Sequence, residues 1–210
     1  MTTLGKLSEA LIAGDTEEVK KLTQTALEEG FVPNEIIKNG LINGMDVIGG
    51  RFKRREIFVP EVLIAARAMH GGMEVLKPYL VHGQSEPEGK IILGSAKGDL
   101  HDIGKNLVRM MLEGAGFEVI DLGVDISPEV FVKAVQKHKP HCIGISSLLT
   151  TTMPAMGKTI EALEKAGLRD QIKVLVGGAP VTQKYADQIG ADGYAEDASS
   201  AVDVAKSLVG

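Results

Sequence analysis

The sequence predicts two parts: a four-helix bundle over residues 1–85, then an α/β domain with a five-stranded parallel sheet over residues 86–210. Three observations carry that prediction. From Leu4 to Leu80 apolar residues recur at three- and four-residue steps, the period of helices with one buried face. From Lys90 onward, short apolar runs alternate with amphipathic stretches, the rhythm of β-α units. Between them the stretch Val81 to Gly89 is polar and holds two glycines and a proline, the composition of an interdomain linker.

In the first part, Leu4, Leu7 and Leu11 mark one helix, Val19, Leu22 and Ala26 a second, and Ile36, Ile37, Gly40 and Leu41 a third. Asp15 is placed to cap the second helix, with Glu18 three residues on. Gly30 closes that helix, while Pro33 and Pro60 suit the first turns of the third and fourth. Short connections imply antiparallel neighbours and hence a small bundle. The segment from Gly49 to Pro60 reads as the connection between helices three and four, and it carries Phe52 and Val59 where a plain connector would be polar. On residue type alone, both fold back onto the bundle core.

In the second part, strands are expected at Ile91 to Ala96, Phe117 to Leu122, Cys142 to Ser146, Val174 to Gly177 and Gly193-Tyr194. Each precedes a helix, and Ser127 before Pro128 makes an N-cap and first-turn proline for the second of these. Five β-α units imply a parallel sheet covered on both faces.

Composition narrows the function classes. The 210 residues are 44% hydrophobic and 24% charged, ordinary for a globular protein. A net charge of -5 with no long basic run offers no electrostatic footprint for nucleic acid or an anionic membrane, so neither is expected as a partner. The N-terminus lacks the apolar core of a signal peptide and no run of about 18 apolar residues exists to span a bilayer, so a cytoplasmic protein is expected. The single cysteine, Cys142, lies in the apolar run His141-Cys142-Ile143-Gly144-Ile145 and reads as a small buried hydrophobe. His70, His82, His138 and His141 have no spacing that would build a zinc site with His101.

The informative stretch is Lys97-Gly98-Asp99-Leu100-His101-Asp102-Ile103-Gly104-Lys105-Asn106, between the first apolar strand and an amphipathic helix. It is the loop leaving a strand's C-terminal end, where open α/β sheets bind ligands. A metal-ligating imidazole usually has its other ring nitrogen held by a carboxylate, which fixes the tautomer and raises basicity. Asp99, two residues before His101, can supply that carboxylate.

The stretch resembles the cobalamin-binding signature Asp-x-His-x-x-Gly, matched by Asp99, His101 and Gly104. In that family the signature continues with Ser-x-Leu and then Gly-Gly, and this chain has Ser146-Ser147-Leu148 and Gly177-Gly178. The chain is similar to a corrinoid protein of a methyltransferase system and to the cobalamin-binding module of methionine synthase. The resemblance implies a corrinoid cofactor whose benzimidazole leaves the cobalt and is replaced by His101 as lower ligand. It implies a cofactor site of Asp99, His101, Asp102, Ile103, Gly104, Ser146, Leu148, Thr150, Thr152, Gly177 and Gly178. Ser146 and the glycine pair would line a slot for the nucleotide tail, and Thr152 falls where methionine synthase has the serine that extends the histidine-aspartate relay. Phe52 and Val59 fall where that module covers the upper corrin face.

If the strand order is the flavodoxin-like 2-1-3-4-5, the loops carrying His101, Ser146 and Gly177-Gly178 share one sheet edge. A response regulator on this fold needs an acceptor aspartate where Ser146 stands, and a flavin site wants aromatic rings that these loops lack. The function implied is a methyl carrier, inactive alone. It would take a methyl group from a donor-specific methyltransferase of the methanol, methylamine or methoxyaromatic class. A second methyltransferase would pass the methyl to tetrahydrofolate or a thiol, and a reductive activator would restore oxidised cobalt. A cobalamin-dependent regulator and a mutase small subunit share the signature; the first needs a DNA-binding region and the second ordinarily carries no helical cap.

Overall fold

A computed structural model describes residues 2–79 and 87–210. The boundary expected at residues 85 and 86, and most of the linker from Val81, lie outside the described residues. The chain divides into two compact units, one based on Met1–Pro87 and the other on Glu88–Leu112 with Phe117–Gly210.

The helical unit holds α1 (Thr3–Ile12), α2 (Thr16–Glu28), α3 (Pro33–Ile36), α4 (Asn43–Lys53) and α5 (Val59–Leu76). A π-helical stretch, Ile37–Ile42, joins α3 to α4, so Pro33 to Lys53 forms one composite rod and the four-rod bundle of the sequence pattern stands. Asp15 caps α2 by accepting from the Glu18 N–H at 3.0 Å. Leu7, Leu11, Val19, Ile36, Leu41 and Val62 have no exposure and form the core. At Gly40 an added Cβ would lie 2.6 Å from Leu7 Cδ2, so the glycine permits the close approach of two rods.

The connection between α4 and α5 is shorter than the sequence suggested. Gly49 and Gly50 lie inside α4, because each glycine costs about 1 kcal/mol in a helix interior while the rod buries Met45 and Ile48. The turn is thus residues 54–58, with Arg55 at φ 58°. Phe52 belongs to the last turn of α4 and Val59 opens α5; both are half-buried, whereas Phe58 between them is 67% exposed.

The α/β unit holds β1 (Lys90–Ser95), β2 (Glu118–Asp121), β3 (Cys142–Ser146), β4 (Lys173–Gly177) and β5 (Gly193–Ala195). Between and after them run α6 (Ile103–Gly114), α7 (Pro128–His138), α8 (Pro154–Lys165), α9 (Gln183–Ile189) and α10 (Ala198–Val209). All strand pairs are parallel, in the order β2-β1-β3-β4-β5. Ile92, Ile143 and Val174 are fully buried in the sheet, and Phe131 of α7 is fully buried over it. Ser127 precedes α7 as expected, but its hydroxyl donates to Glu129 at 2.7 Å instead of capping the helix backbone. Burial pushes the Cys142 thiol up to about 12, as befits a buried hydrophobe. Among the described residues no helix is long and apolar enough to cross a membrane.

The strand order makes β1, β3 and β4 adjacent, so their C-terminal ends form one edge. The register there aligns Ser95 with Ser146, Ser146 with Gly177, and Gly177 with Ala195. A row of small side chains therefore crosses four strands at their C-terminal ends.

Candidate functional site

The loop from β1 to α6 is fixed by backbone bonds before any side chain acts. The Ala96 N–H donates to the Ser146 carbonyl at 2.9 Å, tying the loop's start to β3. Gly98 turns the chain at φ +86°, and the Asp99 N–H returns to the Ala96 carbonyl at 2.9 Å. Asp125, on the loop after β2, accepts from the Gly98 N–H at 2.7 Å, while its own N–H donates to the Asp99 carbonyl at 2.9 Å. The carboxylate of Asp99 and the ring of His101 thus leave a loop anchored to both neighbouring strands.

Asp99 has no solvent exposure, and burial of a lone carboxylate is costly. Its two oxygens are met by donors. Oδ1 accepts from the His101 N–H at 3.0 Å and lies 2.8 Å from His101 Nδ1; Oδ2 accepts from the Leu148 N–H at 2.7 Å and the Thr152 hydroxyl at 2.8 Å. Burial favours the neutral acid, but the Leu148 and His101 N–H groups, the Thr152 hydroxyl and the His101 ring outweigh it and hold the carboxyl well below the usual range. An ionised carboxylate only accepts, so His101 Nδ1 carries the proton and Nε2 presents its lone pair. The imidazole is half-exposed, with 51% of its side chain open.

Two hydroxyl chains surround this pair. Ser147 is buried, with its Oγ 2.7 Å from Thr152 Oγ1 and 3.4 Å from Asp99 Oδ2. Both hydroxyls also reach the Leu149 carbonyl, Thr152 at 2.9 Å and Ser147 at 3.2 Å, so the two protons are shared among Asp99, that carbonyl and the contact between the hydroxyls. On the other side, the fully buried Ser95 donates to the His101 carbonyl at 2.7 Å, and its Oγ lies 3.0 Å from Ser146 Oγ.

The structure thus brings Asp99, His101, Thr152 and the Leu148 backbone into one bonded group, with Ser146 joined to it through Ser95. Ile103 is 81% exposed and the Leu148 side chain 44%; Leu100 and Leu149, at 71% and 42%, accompany them and escaped the sequence reading. A Cβ at Gly104 would meet nothing within 4 Å. Asp102 accepts from the Asn106 side chain at 3.1 Å and from its backbone N–H at 2.7 Å through its own carbonyl, so it shapes the first turn of α6. Thr150 is exposed on the loop after β3. At Gly178, φ is +130° and a Cβ would overlap the Ser147 carbonyl oxygen, so only glycine lets the loop after β4 lie against the loop after β3. Phe52 and Val59 lie in the helical unit.

Also missed was the ion pair beneath α6. Lys105 is 5% exposed and donates to both oxygens of Asp121 at 2.6 Å, with Asn106 Oδ1 at 3.0 Å. Burial disfavours the Asp121 anion, but Lys105 and the Gly123 N–H hold its carboxyl below the ordinary value.

The donor set is one imidazole. Among the described residues no three His, Cys, Asp or Glu side chains gather to hold a metal ion, so protein-only caging is not the arrangement. A half-exposed imidazole with one ring nitrogen held by a carboxylate suits a centre that brings its remaining ligands with it.

Comparison with known proteins leads to the same family. The B12 binding domain model matches residues 89–203, and a second B12 binding domain model matches residues 3–77. A corrinoid protein of Desulfitobacterium hafniense is 45% identical over 213 residues, covering 100% of this chain and 99% of that protein. A trimethylamine corrinoid protein of Methanosarcina acetivorans is 42% identical over 208 residues, covering 98% and 96%. The structure superposes on a chain of the methanol:cobalamin methyltransferase complex of Methanosarcina barkeri with a TM-score of 0.89 at 33% identity, covering 99% of this chain and 79% of that one. With its Asp99–His101 pair at the C-terminal edge of a parallel sheet, the chain belongs to the B12-binding corrinoid proteins of methyltransferase systems, and its cofactor is a corrinoid with its cobalt.

Proposed function

We propose that this protein carries a methyl group between two methyltransferases, with His101 Nε2 as the protein ligand to cobalt. One observation carries the reading: Asp99 holds His101 Nδ1 at 2.8 Å, leaving Nε2 as the free ring nitrogen of a half-exposed imidazole at the sheet edge. When bound, the corrinoid supplies a cobalt centre that takes up and gives up the methyl group. The chain's residues bind, orient and shield. Leu100, Ile103, Leu148 and Leu149 offer apolar surface beside His101 for a macrocycle, and leaving four such side chains open to water needs a reason. Ser146, Gly177 and Gly178 mark the sheet edge where a nucleotide tail would lie, and the Ser146 hydroxyl can donate to it. Asp102, Gly104 and Thr150 line the same loops.

In this proposal Phe52 and Val59 would shield the bound corrinoid, with residues 1–85 as the cap domain and residues 86–210 as the corrinoid-binding domain. The donor is a small methylated compound: relatives named for trimethylamine and methanol support that class and leave the choice within it to assay. The partners are a donor-specific methyltransferase, an acceptor methyltransferase serving tetrahydrofolate or a thiol, and a reductive activator, all in the cytoplasm.

The test is electron paramagnetic resonance of the Co(II) holoprotein, which should show coupling to one histidine nitrogen that disappears in His101→Ala. An unchanged spectrum overturns the ligand assignment. Methyl-labelled donors added with each candidate methyltransferase should transfer label to the protein; no label on cobalt with any partner overturns the carrier role.

A further inference from the structure

The two hydroxyls at the C-terminal ends of β1 and β3 are bonded in a way that the cofactor-binding role of Ser146 does not require. Ser95 is fully buried, and each serine has one proton. The His101 carbonyl, 2.7 Å from Ser95 Oγ, can only accept, so the Ser95 proton is committed there. The 3.0 Å contact between Ser95 and Ser146 then requires Ser146 to donate. The order of protons runs from Ser146 to Ser95 to the backbone of the residue that carries the imidazole.

We infer that Ser95 is a positioning residue, linking the occupant of the Ser146 hydroxyl to the freedom of the His101 loop. The inference rests on the methyl-carrier reading and deepens it. An acceptor nitrogen on the nucleotide tail that takes the Ser146 proton leaves two lone pairs facing each other at 3.0 Å. Ser95 relieves that contact by turning its proton to Ser146 Oγ, which releases the His101 carbonyl. His101 is then held by the Asp99 bonds alone and can shift toward the metal. A tail with no acceptor leaves the carbonyl clamped. The ligand class preferred is therefore a cobamide whose displaced base presents a ring nitrogen.

The two serines predict opposite phenotypes, which a merely structural role would not produce. In Ser95→Ala the carbonyl is never clamped, so histidine coordination should be as complete with a phenolyl cobamide, which has no ring nitrogen, as with cobalamin. In Ser146→Ala the clamp never opens, so both corrinoids should show the weaker coordination. Ser95→Thr keeps the hydroxyl and should restore the wild-type pattern.

The readout is the fraction of Co(II) protein showing histidine nitrogen coupling, measured with both corrinoids on variants whose circular dichroism and thermal midpoint show them folded. Wild type should favour coordination with cobalamin over the phenolyl cobamide by about three- to ten-fold, the scale of one hydrogen bond. That ratio should fall to about one in both alanine variants, at the high level for Ser95→Ala and the low level for Ser146→Ala. A wild-type ratio of one, or a ratio that survives Ser95→Ala, overturns the link while leaving His101 as ligand. Should Ser95→Ala fail to fold, the Ser146→Ala and Ser95→Thr results decide in the same way. Absence of histidine coupling with either corrinoid in wild type overturns the underlying reading together with the link.

Discussion

Asp99, on the loop after β1, and Asp121, at the end of the neighbouring β2, are both withdrawn from water and both held below the ordinary carboxylate range, by different means. Asp121 is met by cations: Lys105 at 2.6 Å to both oxygens, with Arg109 at 3.5 Å. Asp99 is met by backbone N–H groups, a threonine hydroxyl and an imidazole. A carboxylate neutralised by lysine has its charge spent locally, and it ties α6 to β2. A carboxylate held by dipoles keeps its full negative charge, which it can lend to the ring of His101. The first arrangement serves the fold, and the second tunes a ligand.

Breaking each arrangement should separate these roles. Lys105→Ala leaves the Asp121 carboxylate to the more distant Arg109 and the Gly123 N–H and should cost up to about 3–5 kcal/mol of stability in denaturant unfolding, while Lys105→Met with Asp121→Leu should recover most of it. A loss under about 1 kcal/mol in the single variant would place Asp121 among surface pairs. Asp99→Asn should cost less stability, about 1–3 kcal/mol, because either amide orientation sets an NH₂ group against N–H donors. Its larger effect should fall on the cofactor, with corrinoid affinity down about 10–100-fold by titration. Affinity unchanged within two-fold would remove Asp99 from the control of His101.

The pH dependence follows with its sign. Both carboxyls titrate lower in the folded chain than in the unfolded one, so each adds stability that is present above the ordinary carboxylate range near pH 4 and lost as pH falls through the folded values. The thermal midpoint should therefore decline on acidification below that range, and the decline should be shallower in Asp99→Asn. Identical slopes would show that Asp99 titrates alike in both states. The smallest effect belongs to the outermost hydroxyl. Thr152→Val removes a bond to a charged group and should cost about 1.5–3 kcal/mol, and Ser147→Ala, one bond further out, about 0.5–1.5 kcal/mol.

The legible parts of this molecule are those with short-range signatures. The five β-α units follow from apolar runs and periodicity, and the Asp99–His101 pair from a two-residue spacing within one loop. Residues whose meaning depends on strand register were not legible. Ser95 and Ser146 are 51 positions apart and meet only because β1 lies beside β3 with those positions aligned. Ser147 likewise sits next to a serine that the signature had already claimed, and only the folded loop shows that it is the one beside Thr152. Lys105 stood at the end of the loop stretch with no role of its own until β2 supplied Asp121 beside it. The glycine pair at 49 and 50 misled in the other direction, since local propensity marked a helix end that packing overrode.

Cys142, the chain's single cysteine, is fully buried in β3 with its thiol pushed up to about 12. Thiol-directed reagents need the thiolate and access to it, so maleimides and iodoacetamides will pass this residue by at neutral pH. The natural chain is accordingly a silent background for site-specific labelling. Phe58→Cys on the helical unit and Val130→Cys on the α/β unit, both exposed, would accept a fluorophore pair or spin-label pair with the native sequence otherwise intact. Distances between the two units could then be followed through a catalytic cycle.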